Sequence, residues 1–173
     1  MDNSTPFRTF GIMLDCSRNA VPNLHTLKKW VDLTASLGYN TLLLYTEDTY
    51  EVPDEPYFGY MRGRYTQAEL RELDAYANER GMTIMPCIQT LAHLYAIKRW
   101  PEYWPHFDTD DILLAGDERV YTLIDHMFWS LAASLSCRTI HLGMDEAEMF
   151  ARGRYYDQHG DCDRSQALLA HLQ

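Results

Sequence analysis

The sequence predicts an α/β fold of the (β/α)8 TIM-barrel type, of which residues 1–173 carry the first four βα units. Three observations predict it. Short β-branched and apolar runs alternate strictly with helical patterns, the signature of a parallel sheet with covered strands. No G-x-G-x-x-G follows any of these runs, so a dinucleotide-binding open sheet has nothing behind it. Arg18, Glu47 with Asp48, Gln89 with His93, and Asp145 with Glu146 each follow the C-terminal end of a different run. In a (β/α)8 barrel that end carries the active site, with residues drawn from several strands. A full barrel takes ~250 residues, so the chain reads as an N-terminal half-barrel spanning 1–173 with no second domain.

The elements follow in order. Phe10–Cys16 is a short apolar run, expected as a strand covered on both faces. A helix runs from Pro22 through Leu37, with Leu24, Leu27 and Val31 at helical spacing and Gly38 as its stop. Asn40–Tyr45 is the second strand. The loop from about Thr49 to Tyr65 carries Tyr50, Tyr57, Phe58, Tyr60 and Tyr65; its aromatic content argues against disorder and suggests sugar platforms. Thr66-x-x-Glu69 is a capping box opening a helix to Arg80, stopped by Gly81. Met82–Ile88 is the third strand. Asp110–Leu114 is an ordered loop or short strand, and Asp117 caps a helix from Glu118 to about Leu135. Arg138–Ala147 is expected as a buried fourth strand, and a last helix begins near Ser165.

Bulk composition narrows the function. Hydrophobic residues at 46% and charged residues at 23% mark an ordered globular chain. A net charge of −10 argues against nucleic-acid backbones and anionic membranes as partners. No apolar run approaches the ~20 residues of a membrane helix, and Met1–Pro6 has neither the basic start nor the apolar core of a signal peptide. Cys16, Cys87, Cys137 and Cys162 form no C-x-x-C pair, so a reduced, cytoplasmic protein is expected. His25, His106, His126, His159 and His171 are expected on surfaces or helix faces. Without H-E-x-x-H or tight ligand spacing, neither a metal nor another cofactor is implied.

The richest chemistry lies in Arg138–Ala147. On a strand, His141, Gly143 and Asp145 share one face, and Glu146 sits at the tip. An isolated Asp-Glu is most often a solvated strand end leading into a helix start, where acids suit the positive terminus. Two adjacent carboxylates can also split their proton affinities, one keeping its proton while the other stays charged, as acid–base catalysis requires.

The run His141-x-Gly143-x-Asp145-Glu146 resembles the signature of glycoside hydrolase family 20, the β-N-acetylhexosaminidases. So do Asp15-Cys-Ser-Arg18, Leu44–Asp48, Tyr57–Tyr60 with Arg62–Thr66, and Pro86–His93. The resemblance implies an exo-acting hydrolase for a terminal N-acetylhexosamine, working with retention through the substrate's own acetamido group. It casts Glu146 as general acid and base and Asp145 as the acid that orients the acetamido group. Arg18 would hold ring hydroxyls, His93 would support the acid, Asp48 would belong to the polar support around His93, and His141 would be structural. Gln89 stands where many members carry an acid. A tyrosine and tryptophans that complete the family's sugar pocket have no counterpart within these residues.

A non-catalytic sugar-binding fragment and an unrelated metal-dependent barrel lyase or isomerase are the alternatives. A half-barrel also leaves its first and fourth strands as open edges. The chain is therefore expected either as part of a longer protein or as a dimer that closes a barrel.

Overall fold

The computed structural model describes residues 7–18 and 20–173; the stretch Met1–Pro6 and Asn19 lie outside the described residues. Three strands, β1 (Gly11–Asp15), β2 (Thr41–Tyr45) and β3 (Thr83–Cys87), pair in parallel in the order β1-β2-β3. Helix α1 (Leu24–Ser36) links the first two and α2 (Gln67–Asn78) the next. After β3 come two 3₁₀ turns, Ile97–Arg99 and Pro101–His106, then α3 (Glu118–Ala132), α4 (Arg154–His159) and α5 (Arg164–His171). Element order and parallel pairing agree with the sequence reading. The sequence reading does not predict α4, a six-residue helix without a side-chain cap and with no buried residue.

The capping box and the glycine stops act where the sequence signals put them, while α1 starts after an Asn23 cap rather than at Pro22 and α3 ends at Ala132 rather than near Leu135. Thr66 and Glu69 form the reciprocal capping box of α2, satisfying two orphan backbone donors. Gly38 and Gly81 leave α1 and α2 at φ +85° and +70°, a conformation glycine adopts without a Cβ clash. The helices cover one face of the sheet. Leu42, Leu44 and Ile84 are buried against Leu27 and Val31 of α1, Leu70 and Leu73 of α2, and Val120, Leu123 and Met127 of α3. Each such side chain contributes about 1.5–3 kcal/mol on leaving water.

The other sheet face carries Met13, Leu43 and Met85, none of them in that core, and Met13 is 46% exposed. This corrects the expectation that the first strand is covered on both faces. β1 is an edge paired only with β2 among the described residues, and its residues alternate between exposed and half-buried.

The register decides what this open face presents. Asp15 pairs with Tyr45, Tyr45 with Cys87, and Cys87 bridges His141. Side chains on one rung of a parallel sheet point the same way, so these four line up at the C-terminal end.

The fourth strand is corrected too. Only the single parallel bridge Cys87–His141 forms, and Arg138, Thr139, His141 and Leu142 are exposed. Two residues stop the ladder. His141 N–H donates to Pro86 O and Ile88 N–H to His141 O, both at 3.0 Å. The next rung down would need an N–H from residue 86, and proline has none. Thr139 O accepts instead from the Cys137 thiol at 3.2 Å. One rung up, Gly143 sits at φ +60° and leaves the extended region.

The aromatic loop is partly core. Tyr50, Phe58 and Tyr65 are buried, and Tyr50 and Tyr65 bridge each other. Tyr57 and Tyr60 pack on Trp100 with ring centroids 5.0 and 5.5 Å away. His171, at the end of α5, is buried on its helix face, with Nε2 3.0 Å from Thr90 O.

Asp117 caps α3 by accepting from Arg119 N–H at 3.0 Å and Arg119 Nε at 2.8 Å. Arg119 donation holds its carboxyl below the usual range. A depressed carboxyl stabilises the fold above its unfolded value, ~3.9, and the contribution is lost as pH falls through the folded value. Asp117→Ala should cost about 1 kcal/mol in urea unfolding at neutral pH. The gap from wild type should narrow as pH falls below the unfolded carboxyl value of ~3.9 and through the lower folded value.

Candidate active site

An open cleft of about 270 Å³ at the C-terminal end of the sheet is lined by Met13, Asp15, Arg18, Tyr45, His93, Asp145 and Glu146. An apolar groove along Pro86, Phe128, Leu131 and Ile140 is similar in size but is lined by no acid; the polar cleft gathers two adjacent carboxylates, an imidazole and a guanidinium.

Its first wall is the turn after β1. Asp15 accepts from Ser17 N–H at 2.9 Å and Ser17 Oγ at 2.7 Å, and pairs with Arg18 Nη1 at 2.9 Å. Against its partial burial, these donors hold the Asp15 carboxyl below the usual range. Arg18 is further steadied by Glu47, 3.5 Å from Nη2, and by the Tyr45 ring, 5.2 Å from its guanidinium carbon. Its side chain stays 55% exposed, leaving donors of its planar fork for a ligand.

The floor comes from β2 and β3. The Tyr45 hydroxyl donates to Glu47 Oε1 at 3.3 Å and accepts from Gln89 Nε2 at 2.9 Å. Burial pushes the Glu47 carboxyl up, against the pull of Arg18 and His93. Gln89 Nε2 also lies 3.3 Å from Asp145 Oδ1. Cys87, its thiol pushed up to about 11 by burial and by the Asp145 charge, meets His141 Nδ1 at 3.2 Å.

The far wall is His93 with the acidic pair. His93 Nε2 lies 3.5 Å from Asp145 Oδ2 and 3.6 Å from Glu146 Oε2. One imidazole thus bridges both carboxylates. Partial burial opposes ionisation of Asp145, but its own backbone N–H, the Gln89 amide, His93 and His141 outweigh that and hold its carboxyl below the usual range. The Glu146 side chain is 73% exposed, open to the cleft and to solvent.

Backbone conformation delivers these groups. Gly143 turns the chain so closely over β3 that a Cβ there would lie 2.0 Å from Ile88 O and 2.8 Å from the Gln89 amide. Only glycine fits. Gly143 therefore serves close packing and does not belong to a regular strand. His93 and Glu146 both sit at positive φ, 60° and 54°. For residues with a Cβ this costs about 1–3 kcal/mol each, and such strain concentrates at functional sites.

Arg18, His93, Asp145 and Glu146 are thus brought together. His141 touches Cys87 and reaches Asp145 only through its charge. Asp48 does not join the cleft. It is buried and paired with Arg62 Nε at 3.1 Å, while Arg62 also donates to Ser17 O. Burial pushes its carboxyl up, against Arg62. Its neighbour Glu47 faces Arg18 instead. The period of two along a strand, carried past Tyr45, points Glu47 and not Asp48 toward that face. Asp15 and Tyr45 were likewise missed as site residues; only the rung register reveals them. Among the described residues no group of three or more His, Cys, Asp or Glu side chains is arranged to hold a metal ion.

Residues 6–172 match the catalytic domain of glycosyl hydrolase family 20. The chain belongs to that family. It is 30% identical to a β-hexosaminidase of Vibrio furnissii over 81% of this chain and 29% of that protein. A β-hexosaminidase of Akkermansia muciniphila is 29% identical over 79% of this chain and 34% of its own length. The chain therefore spans about a third of the length of these curated relatives. The fold superposes on the family 20 exo-β-N-acetylglucosaminidase of Vibrio harveyi, solved with N-acetylglucosamine, at a TM-score of 0.81 and 24% identity. That match covers 95% of this chain and 32% of the other. A second β-N-acetylhexosaminidase structure matches at 0.80 and 23%, over 96% and 43%. The open three-stranded sheet is thus part of a family 20 barrel.

Two outcomes test this geometry. Glu146→Gly should be more stable than Glu146→Ala by about 1 kcal/mol in urea unfolding, because glycine relieves the positive φ. Arg62→Met should destabilise by about 3 kcal/mol, leaving Asp48 buried and unpaired.

Proposed function

We propose that this chain carries the acid pair and sugar anchor of an exo-β-N-acetylhexosaminidase. The enzyme would remove terminal N-acetylglucosamine or N-acetylgalactosamine by a substrate-assisted, retaining route. The observation that carries the reading is the single imidazole of His93 within 3.6 Å of both Asp145 and Glu146, in one cleft with Arg18. The similarity to the β-hexosaminidases of Vibrio furnissii and Akkermansia muciniphila supports it.

The groups divide the work as follows. Arg18, held by Asp15 and Glu47, donates to hydroxyl oxygens of the terminal ring. Glu146 protonates the glycosidic oxygen as the bond to the anomeric carbon breaks. The substrate's acetamido oxygen attacks that carbon, closing an oxazolinium ring. Asp145 accepts the acetamido N–H and balances the developing positive charge. Glu146, now a carboxylate, takes a proton from water, whose oxygen opens the ring and restores the original anomeric configuration. His93 holds the two carboxylates in place. Neither a metal nor a redox cofactor enters these steps.

The assay belongs on the native gene product, since the chain spans about a third of its relatives' length. Glu146→Gln should lower kcat on N,N′-diacetylchitobiose by about 10²–10⁴-fold, with an unchanged urea midpoint. Full turnover in that variant removes Glu146 as the acid. A wild type that binds the sugar without releasing product replaces the hydrolase with a binding module.

A further inference from the structure

Gln89 is fully buried, yet its amide is only half satisfied. Nε2 donates to the Tyr45 hydroxyl at 2.9 Å and to Asp145 Oδ1 at 3.3 Å. Oε1 has no hydrogen-bond partner and packs where a Cβ on residue 143 would otherwise sit, 2.8 Å away. A buried, unpaired acceptor is destabilising. A leucine would fill the same space without that cost, so packing alone does not account for glutamine here.

The alternatives at this position behave differently toward Asp145. An acid would place a second negative charge beside it, and one of the two would have to keep a proton. An amide donates at every pH and never titrates. Its orientation is also decided. Tyr45 already donates to Glu47, so its hydroxyl oxygen is free to accept, and it draws the NH₂ end of Gln89 toward itself and toward Asp145. A directed chain results: Gln89 donates at one hydrogen to Tyr45, which donates to Glu47, and at the other to Asp145.

We propose that Gln89 is a positioning residue whose buried amide, oriented by Tyr45, fixes the Asp145 carboxylate as a hydrogen-bond acceptor facing the cleft. It does so among several other groups. His93 faces Asp145 at 3.5 Å, His141 acts on it from the neighbouring rung, where the Cys87 thiol feels its charge, Glu146 adjoins it, and Arg18 and Asp15 line the opposite wall. Beside the backbone N–H of Asp145 itself, Gln89 is the non-titrating donor among the side chains around this carboxylate, and it is fully buried. The consequence for turnover rests on the hydrolase reading; the consequence for Asp145 does not.

The experiment is a ¹³C-carboxyl NMR titration of Asp145 in the native protein, beside kcat and KM measured against pH. In Gln89→Leu the proton affinity of Asp145 should rise roughly tenfold, with a smaller rise in Tyr45→Phe. The fold should survive, since leucine removes the unpaired acceptor. Glycosidase kcat should fall with KM little changed, its acidic limb moving up with Asp145. Gln89→Glu, the variant to use if leucine does not fold, should also raise the Asp145 midpoint, because the two acids then share a proton. An unmoved Asp145 midpoint in the folded variants overturns the proposal. If the midpoint moves but the wild type releases no sugar, the hydrolase reading fails and the positioning role stands.

Discussion

Parallel pairing of three strands with their last residues on one rung is the constraint from which the site follows. Asp15, Tyr45 and Cys87 are neighbours across the sheet, and His141 extends the row by one bridge. Because side chains alternate along a strand, a one-residue slip in any pairing would turn that strand's contribution into the helix-covered core. The slip is prevented from the other face. Leu42, Leu44 and Ile84 must meet the apolar stripes of α1, α2 and α3, and the register that buries them aims Tyr45 and Cys87 at the cleft. Core packing and site geometry are two consequences of one alternation.

The fourth segment shows how a fold trades regular structure for placement. Pro86 withholds the N–H that would extend the ladder downward, and Gly143 bends the chain out of the extended region above. What remains is one bridge followed by a close crossing over Ile88 and Gln89. That crossing carries Asp145 back to within reach of His93 and Gln89. A longer regular strand would lock more backbone hydrogen bonds but would carry the acid pair straight on past β3. Positive φ at His93 and Glu146 is a second cost of the same kind, paid at the two residues whose side chains must converge.

Much of this was legible in the residues. Helix limits followed from the capping box at Thr66, the Asp117 cap and the glycine stops. The acid pair stood out because Asp145-Glu146 follows an apolar run and coincides with polar groups after three other runs. Other features were not legible, for physical reasons. Tyr50, Phe58 and Tyr65 have the composition of a sugar platform, but loop aromatics are core or surface according to what packs beside them. Glu47 and Asp48 are both acids at a strand end; the one that finds Arg62 is buried, and the other faces Arg18. The expected burial of the first and fourth runs failed because an apolar pattern records which faces can be covered, and the three-stranded sheet leaves its edges open.

The sequence by itself determined the alternation of strands and helices, the parallel sheet, the resemblance to the family and the adjacency of Asp145 and Glu146, because each is written in local periodicity, caps and short contiguous motifs. Only the tertiary structure decided which side chains share the cleft. It set the rung that joins Asp15 to Tyr45, the buried amide of Gln89 between Tyr45 and Asp145, and the retreat of Asp48 to Arg62. Those contacts join residues distant along the chain. Their distances depend on strand register and on close backbone crossings, which no local pattern encodes.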